Sequence, residues 1–309
     1  MVITRLVGGL GNQMFQYAAG RCLANKHNTD LKLDISAIKQ YRHRNYSLHH
    51  LRIQENLATP KEVFYYTGRP QTIIQKLWCR FTELWKRFCD KTTFLPALSL
   101  SRFSPSRPRV YSEPHFHFDP NFFRLPEDVY LDGYWQAEKY FEDIEDVIRQ
   151  EFEVKVPLSG EDLEIALKIK GTESVSVHVR RGDYVTNQQT NMVHGCCELE
   201  YYLKCIKYAA QVTKEPHFFV FSDDPTWVTE NIRIDYPLTY VDHNNTSNAH
   251  EDLRLMSLCK HNIISNSTLG WWAAWLNINR NKRIFAPKRW FRKSEVNIGD
   301  LLPIDWNAL

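Results

Sequence analysis

The chain has 309 residues, 43% of them hydrophobic and 24% charged, which is an ordinary globular composition and more than one core usually fills, so two domains are expected. A net charge of +3 with a pI near 8.4 argues against a general nucleic-acid binder, which would be far more basic. Seven cysteines, an odd number with no C-x-x-C pair, read as reduced thiols of a cytosolic protein and not as a disulfide framework. The sequence has no charged leader ahead of an apolar stretch and no apolar run of about 18 residues, so neither a signal peptide nor a membrane span is expected.

In chain order, "VITRLV" (2–7) reads as a strand, "GGLGN" (8–12) as a tight turn, and "QMFQYAAGRCLANKH" (13–27) as a helix with apolar residues at helical spacing. "DLKLDIS" (30–36) alternates as a second strand, which completes the strand–turn–helix–strand grammar of a parallel α/β sheet. Residues 71–110 differ: eight Lys/Arg against two Asp/Glu give a local charge of +6, and Trp78, Phe81, Trp85 and Phe88 recur at spacings of three and four. Two readings stand for this insertion. One is a helix packed on its own domain with a solvated basic face; the other is an interfacial helix touching an anionic membrane surface.

"VYLDGYWQ" (129–136) is strand-like, "AEKYFEDIEDVIRQEF" (137–152) reads as one helix, and "EVKVPLSG" (153–160) as a linker, placing a domain boundary near residue 155. The α/β grammar then resumes. A helix over 161–170 leads to strand "VSVHV" and the loop "RRGDYVTNQQTNMVHG" (180–195); helix "LEYYLKCIKYAAQV" (199–212) and strand "HFFVFS" (217–222) follow. After "DDPTWVTENI" come strand "PLTYVD", helix "HEDLRLMSLCK", strand "HNIIS", helix "LGWWAAWLN" and strand "KRIFAP". The expected division is an α/β domain over 1–154, a Rossmann-like domain over 155–290, and a tail over 291–309 that packs back on the first domain.

In parallel α/β sheets ligands bind beyond the carboxyl ends of the strands. Four loops fall there: "GGLGN", "RRGDY" (180–184), "SDDP" (222–225) and "SNST" (265–268). A glycine turn that opens a helix presents backbone N–H groups and the positive end of the helix dipole, which suits a phosphate. "SNST" adds hydroxyls at a second helix start. The Arg180 and Arg181 forks match phosphate oxygens. Asp223 and Asp224 can accept hydrogen bonds from a ligand, yet they lack the D-x-D spacing of a metal site and fit a helix start equally well, so no metal is expected. Arg181 beside Asp183 reads as a structural ion pair, and His178, in an apolar strand, as either a ligand contact or a satisfied core histidine.

Together "GGLGNQMFQYA" (8–18), "HVRRGDYV" (178–185), "FSDD" (221–224), "ISNSTLGWWAAWL" (264–276), "APKRW" (286–290) and "LLPIDW" (301–306) resemble the α-1,2-fucosyltransferases of glycosyltransferase family 11. The resemblance runs almost end to end. It implies a GT-B-like fold of two Rossmann-like domains facing across a cleft, GDP-β-L-fucose as donor, no metal or other cofactor, and inverting transfer to the 2-hydroxyl of a terminal β-galactoside in a surface glycan. It further implies that Arg180 holds the β-phosphate, His178 contacts the nucleotide, Asp223 reads guanine, Ser267 and Thr268 bind the diphosphate, and Gly9, Gly11 and Asn12 line the fucose and acceptor side. Asp183 and His194 are the candidates for a general base, since Gln188 stands where related α-1,6 enzymes have a glutamate. The expected location is cytoplasmic, with contact of 71–110 at the inner membrane face and a lipid-linked acceptor left open, and no nucleic-acid partner. The alternatives are an α-1,6- or protein O-fucosyltransferase-like enzyme, and a non-catalytic nucleotide- or glycan-binding module.

Overall fold

A computed structural model describes residues 1–38, 45–77, 80, 109–292 and 295–309. Most of the basic aromatic stretch read at 71–110 therefore lies outside the described residues; within its described start, Ile73, Ile74 and Leu77 are exposed. Two parallel sheets organise the rest. In the first, β1 (Val2–Arg5), β2 (Leu31–Asp34), β3 (Arg109–Ser112) and β4 (Val129–Asp132) lie in the order β2-β1-β4-β3. In the second, β5 (Glu173–Val179), β6 (Pro216–Ser222), β7 (Leu238–Val241), β8 (His261–Ile263), β9 (Ile284–Ala286) and β10 (Asn307–Ala308) run β10-β9-β8-β5-β6-β7. Among the described residues every strand pairing is parallel, so helices must return the chain across the sheet faces. This is the α/β, GT-B-like class expected from the sequence.

Helices whose bounds lie wholly among the described residues are α1 (Leu10–Lys26), α2 (Pro60–Thr67), α3 (Glu145–Glu151), α4 (Gly160–Lys170), α5 (Gly182–Thr186), α6 (Gln188–Val193), α7 (Leu199–Val212), α8 (Pro225–Asn231), α9 (Ala249–Leu258) and α10 (Thr268–Leu276). Three stretches depart from the sequence reading. Helix α1 begins inside the glycine turn, with Gly9 as its N-cap and Leu10, Gly11 and Asn12 in its first turn. The single helix read over 137–152 breaks into two 3-10 turns and α3. Phe141 and Ile144 leave helical geometry there, each burying its side chain, and the Tyr140 hydroxyl accepts from the Asp119 N–H at 2.9 Å. The stretch read as loop after β5 holds the short helices α5 and α6.

One apolar core runs through both halves. Its centre is aromatic: Phe15 of α1 lies 4.6 Å from Trp271 and 4.8 Å from Trp272 of α10, and Phe141 stacks on Trp272 at 5.2 Å. Trp272 also donates its indole N–H to the Gly11 carbonyl at 3.0 Å. The tail touches the first sheet's loops, where Asp300 pairs with Lys139 at 2.5 Å and accepts the Phe118 N–H at 3.2 Å. Its last residues then join the second sheet as β10. Trp272→Ala removes the ring that holds the halves together and the indole donor to the Gly11 carbonyl, and should cost roughly 3–5 kcal/mol in urea denaturation.

Candidate active site

The chemistry-bearing residues come to the carboxyl edges of the two sheets. β5 is buried along nearly its whole length, and Arg180 and Arg181 follow directly as it emerges. Arg180 is gripped twice: its Nη2 lies 2.5 Å from Asp183 Oδ1 and its Nη1 2.7 Å from Asp223 Oδ2. Burial works against its charge, but Asp223 and Asp183 outweigh that and raise its pKa. The sequence-based pairing of Arg181 with Asp183 is therefore wrong. Arg181 reaches Asp224 Oδ2 at 3.1 Å and lies over the Trp227 ring at 4.0 Å, because α5 turns Asp183 back toward Arg180. Asp224 accepts the Trp227 N–H and caps α8, as its place before Pro225 suggested.

Asp223 has both oxygens engaged by protein: Oδ1 accepts the Arg181 N–H at 2.7 Å while Oδ2 meets Arg180. The close approach needs glycine at 182, where a Cβ would sit 2.5 Å from Asp223 Oδ2. Three carboxylates thus surround two guanidinium groups, and the arginines are preorganised rather than bare.

His178 is buried, its Nδ1 3.0 Å from the Ser265 hydroxyl and only room for glycine beside it at 270. Burial pushes its pKa down to about 4, Asp223 opposing and Arg180 assisting, so the ring is neutral at pH 7. His178 is held as a core histidine next to the arginine loop. Ser267 is the N-cap of α10, with no side-chain hydrogen bond to the helix; its hydroxyl and that of Thr268 sit at the helix start. Gly11 packs against this point: a Cβ there would lie 2.5 Å from the Thr268 carbonyl carbon and 2.6 Å from its hydroxyl oxygen. The first turns of α1 and α10 thereby meet, and Gly9, Gly11, Ser267 and Thr268 fall together. Asn12 accepts from the Gln136 amide at 3.0 Å, next to the left-handed Gly8.

His194 stacks on Tyr184 at 4.9 Å, and Arg180 lies over the other partner of that stack, 5.4 Å from the Tyr184 ring centre. Its Nδ1 is buried without a hydrogen-bond partner, and burial lowers its pKa, Asp183 opposing and Arg180 assisting.

Reading the sequence missed the residues that hold these loops. Asn266, in the middle of "SNST", donates to the carbonyls of His194, Gly195 and Trp290, each at 3.1 Å, and its own carbonyl accepts from the Tyr184 hydroxyl. Gln13 ties the Gly8 carbonyl to Asn45 and Ser47, and Gln16 accepts the Val7 N–H. The buried amides of "GNQMFQ" and "SNST" were the available signal: an amide inside an apolar helix start needs a partner.

The family model of glycosyl transferase family 11 matches residues 110–308. An alpha-1,2-colitosyltransferase of Escherichia coli is 33% identical over 99% of this chain and 98% of its own. The chain belongs to glycosyl transferase family 11. The O-antigen biosynthesis glycosyltransferase WbnK of Escherichia coli is 32% identical over 93% of both chains. The galactoside 2-alpha-L-fucosyltransferase SEC1 of Bos taurus is 28% identical over 48% of this chain and 42% of its own. Among the described residues no helix is long and apolar enough to cross a membrane, and Cys22, Cys196, Cys197, Cys205 and Cys259 are unbridged.

The neutral His178 of this family 11 enzyme gives a pH-dependent stability. Its folded pKa lies below the ordinary 6.5, so its contribution is whole above pH 6.5 and is lost as pH falls toward 4. Burial puts His250 in the same window. Between pH 7 and pH 5 the wild type should lose up to roughly 2 kcal/mol per histidine, and chemical denaturation should show a smaller loss in His178→Gln.

Proposed function

We propose that this glycosyltransferase moves L-fucose from GDP-β-L-fucose to the 2-hydroxyl of a terminal β-galactoside, inverting the anomeric carbon and requiring no metal. The observations that carry this reading are the Arg180 fork held by Asp183 and Asp223 at the end of β5, and the first turns of α1 and α10 meeting at Gly11 and Thr268. Each helix start offers N–H groups and a positive dipole end, and in this reading Ser267, Thr268, Gly9 and Gly11 hold the diphosphate there. The acceptor O2 attacks C1, the bond from C1 to the β-phosphate oxygen breaks, and GDP leaves with that electron pair. Arg180 takes up the charge that develops on the phosphate.

In this reading Asp183 keeps Arg180 aimed, and donor binding exchanges the Arg180–Asp223 bond for Arg180–phosphate. The exchange releases Asp223 Oδ2 for the N1–H and N2–H edge of guanine. His178 supports the nucleotide side from within the core. His194, neutral at pH 7, accepts the proton of the acceptor hydroxyl.

A second reading concerns the donor sugar. Colitose is fucose without its 3-hydroxyl, and the similarity to a colitosyltransferase over nearly the full length favours testing it. Linkage analysis of products from GDP-fucose and GDP-colitose with lactose separates the two, and no transfer from either sinks the proposal.

Arg180→Ala should lower kcat by about 10²–10³ while leaving the fold intact, and Arg180→Lys should recover little of it because a lysine lacks the fork. Turnover should be unchanged by EDTA. The wild-type kcat should hold above pH 6.5 and fall as pH drops through the lowered His194 pKa, because a base must be unprotonated. His194→Gln should lose that acid limb; a limb that survives the substitution removes His194 from the mechanism.

A further inference from the structure

Asn266 occupies the short link between β8 and α10, the stretch that brings Ser267 and Thr268 to the site. It is 2% exposed, and at that depth a side-chain amide depends on protein partners. Its two amide hydrogens face three carbonyls, those of His194, Gly195 and Trp290. Its Oδ1 accepts from the Cys197 thiol at 3.5 Å. One side chain therefore ties the end of the loop after β5 to the segment after β9.

The two segments also close on each other directly. The Arg292 N–H donates to the Val193 carbonyl at 2.9 Å. Gly195 has a left-handed backbone with φ of 63°, and a Cβ there would lie 2.7 Å from Arg292 Nε. His194 stands between these ties, its ring stacked on Tyr184 at 4.9 Å and 5.3 Å from Phe291. Tyr184 is held at both ends: its hydroxyl donates to the Asn266 carbonyl, and its own carbonyl accepts from the Asn191 amide. The charges acting on His194 are Asp183 and Arg180, with Arg292 against the neighbouring Gly195. The imidazole Nδ1 is buried with no hydrogen-bond partner among the described residues. Placement of the ring thus depends on the backbone that carries it and on the rings beside it.

We propose that Asn266 is a positioning residue for the transfer step: by holding the His194 and Gly195 carbonyls beside Trp290, it fixes the His194 imidazole against Tyr184 and the Arg180 loop. The proposal rests on the reading of His194 as the base and adds the residue that sets it. Misplacing a catalytic group by about 1 Å can cost roughly 10²-fold in rate, so one buried amide has leverage here.

The test follows the His194 ring by NMR titration, beside kcat and KM for transfer to lactose. In Asn266→Ala the His194–Gly195 turn loses its tether and the ring meets water. Its titration midpoint, lowered by burial in the wild type, should rise toward 6.5, and the acid limb of kcat should rise with it. The kcat should fall by up to about 10²-fold with the lactose KM unchanged. Because the loss passes through His194, the double variant with His194→Gln should be no slower than His194→Gln alone. Asn277, a buried amide at the other end of α10 that donates to the Cys259 carbonyl at 2.8 Å, supplies the control. Asn277→Ala should lower stability yet leave the His194 midpoint where it is. If Asn266→Ala does not fold, Asn266→Ser keeps one donor and should move the midpoint the same way by a smaller step. An unmoved midpoint in the folded Asn266 variant, an equal shift in Asn277→Ala, or additive rate losses in the double variant overturns the positioning role. Wild-type kcat in His194→Gln overturns the base reading and this role with it, whereas an unmoved midpoint beside a slow His194→Gln overturns the role of Asn266 alone.

Discussion

Two helices from different halves of the chain meet at their first turns, with no side chain on Gly11 to separate them. That contact constrains the rest of the structure. Any Cβ at residue 11 would drive into the backbone of Thr268 and Leu269, so the approach of α1 to α10 depends on one missing methyl group. Trp272 then locks the pair through the Gly11 carbonyl, and Phe15, Phe141 and Phe152 fill the space around the indole. The halves share this core, so their carboxyl edges are registered by packing as well as by the linker. Apolar burial of several large rings supplies the energy; the indole hydrogen bond supplies the orientation.

Helix starts carry unsatisfied N–H groups, and bringing two of them together concentrates positive potential at one point. Arg180, at the end of β5, is oriented by Asp183 and Asp223. A buried guanidinium without partners would be costly, so the carboxylates that stabilise it in the folded chain also fix its fork. Asn266 performs the matching task for the backbone: one amide gathers three carbonyls, two from the loop after β5 and one from Trp290 beyond β9, beside the start of α10.

Much of this was legible in the residues. The apolar β-branched run ending in "HVRR" marked β5 and the charged loop after it. The amphipathic spacing of "LEYYLKCIKYAAQV" gave both ends of α7, because hydrophobic period and the flanking residues agreed there. Of the two readings open for "DDP", ligand acceptor or helix start, Asp224 takes the second as the cap of α8. Where the reading failed, two local signals conflicted. "GGLGN" carries three glycines and looks like a turn, but tertiary contact with α10 keeps Leu10 to Asn12 helical. "AEKYFEDIEDVIRQEF" has helical spacing, but Phe141 and Ile144 leave helical geometry and bury their side chains in the core.

The sequence by itself determined the α/β grammar, the four loops at the strand ends and the family, because hydrophobic period and short motifs are properties of neighbouring residues. Only the tertiary structure decided which carboxylate holds which arginine. Arg180, not Arg181, takes Asp183, since α5 turns the chain back on itself and Asp223 arrives from a strand more than forty residues away. It also decided that the last residues join the second sheet. Pairings of this kind depend on distances between segments that are remote in sequence, and those distances exist only once the shared aromatic core has packed.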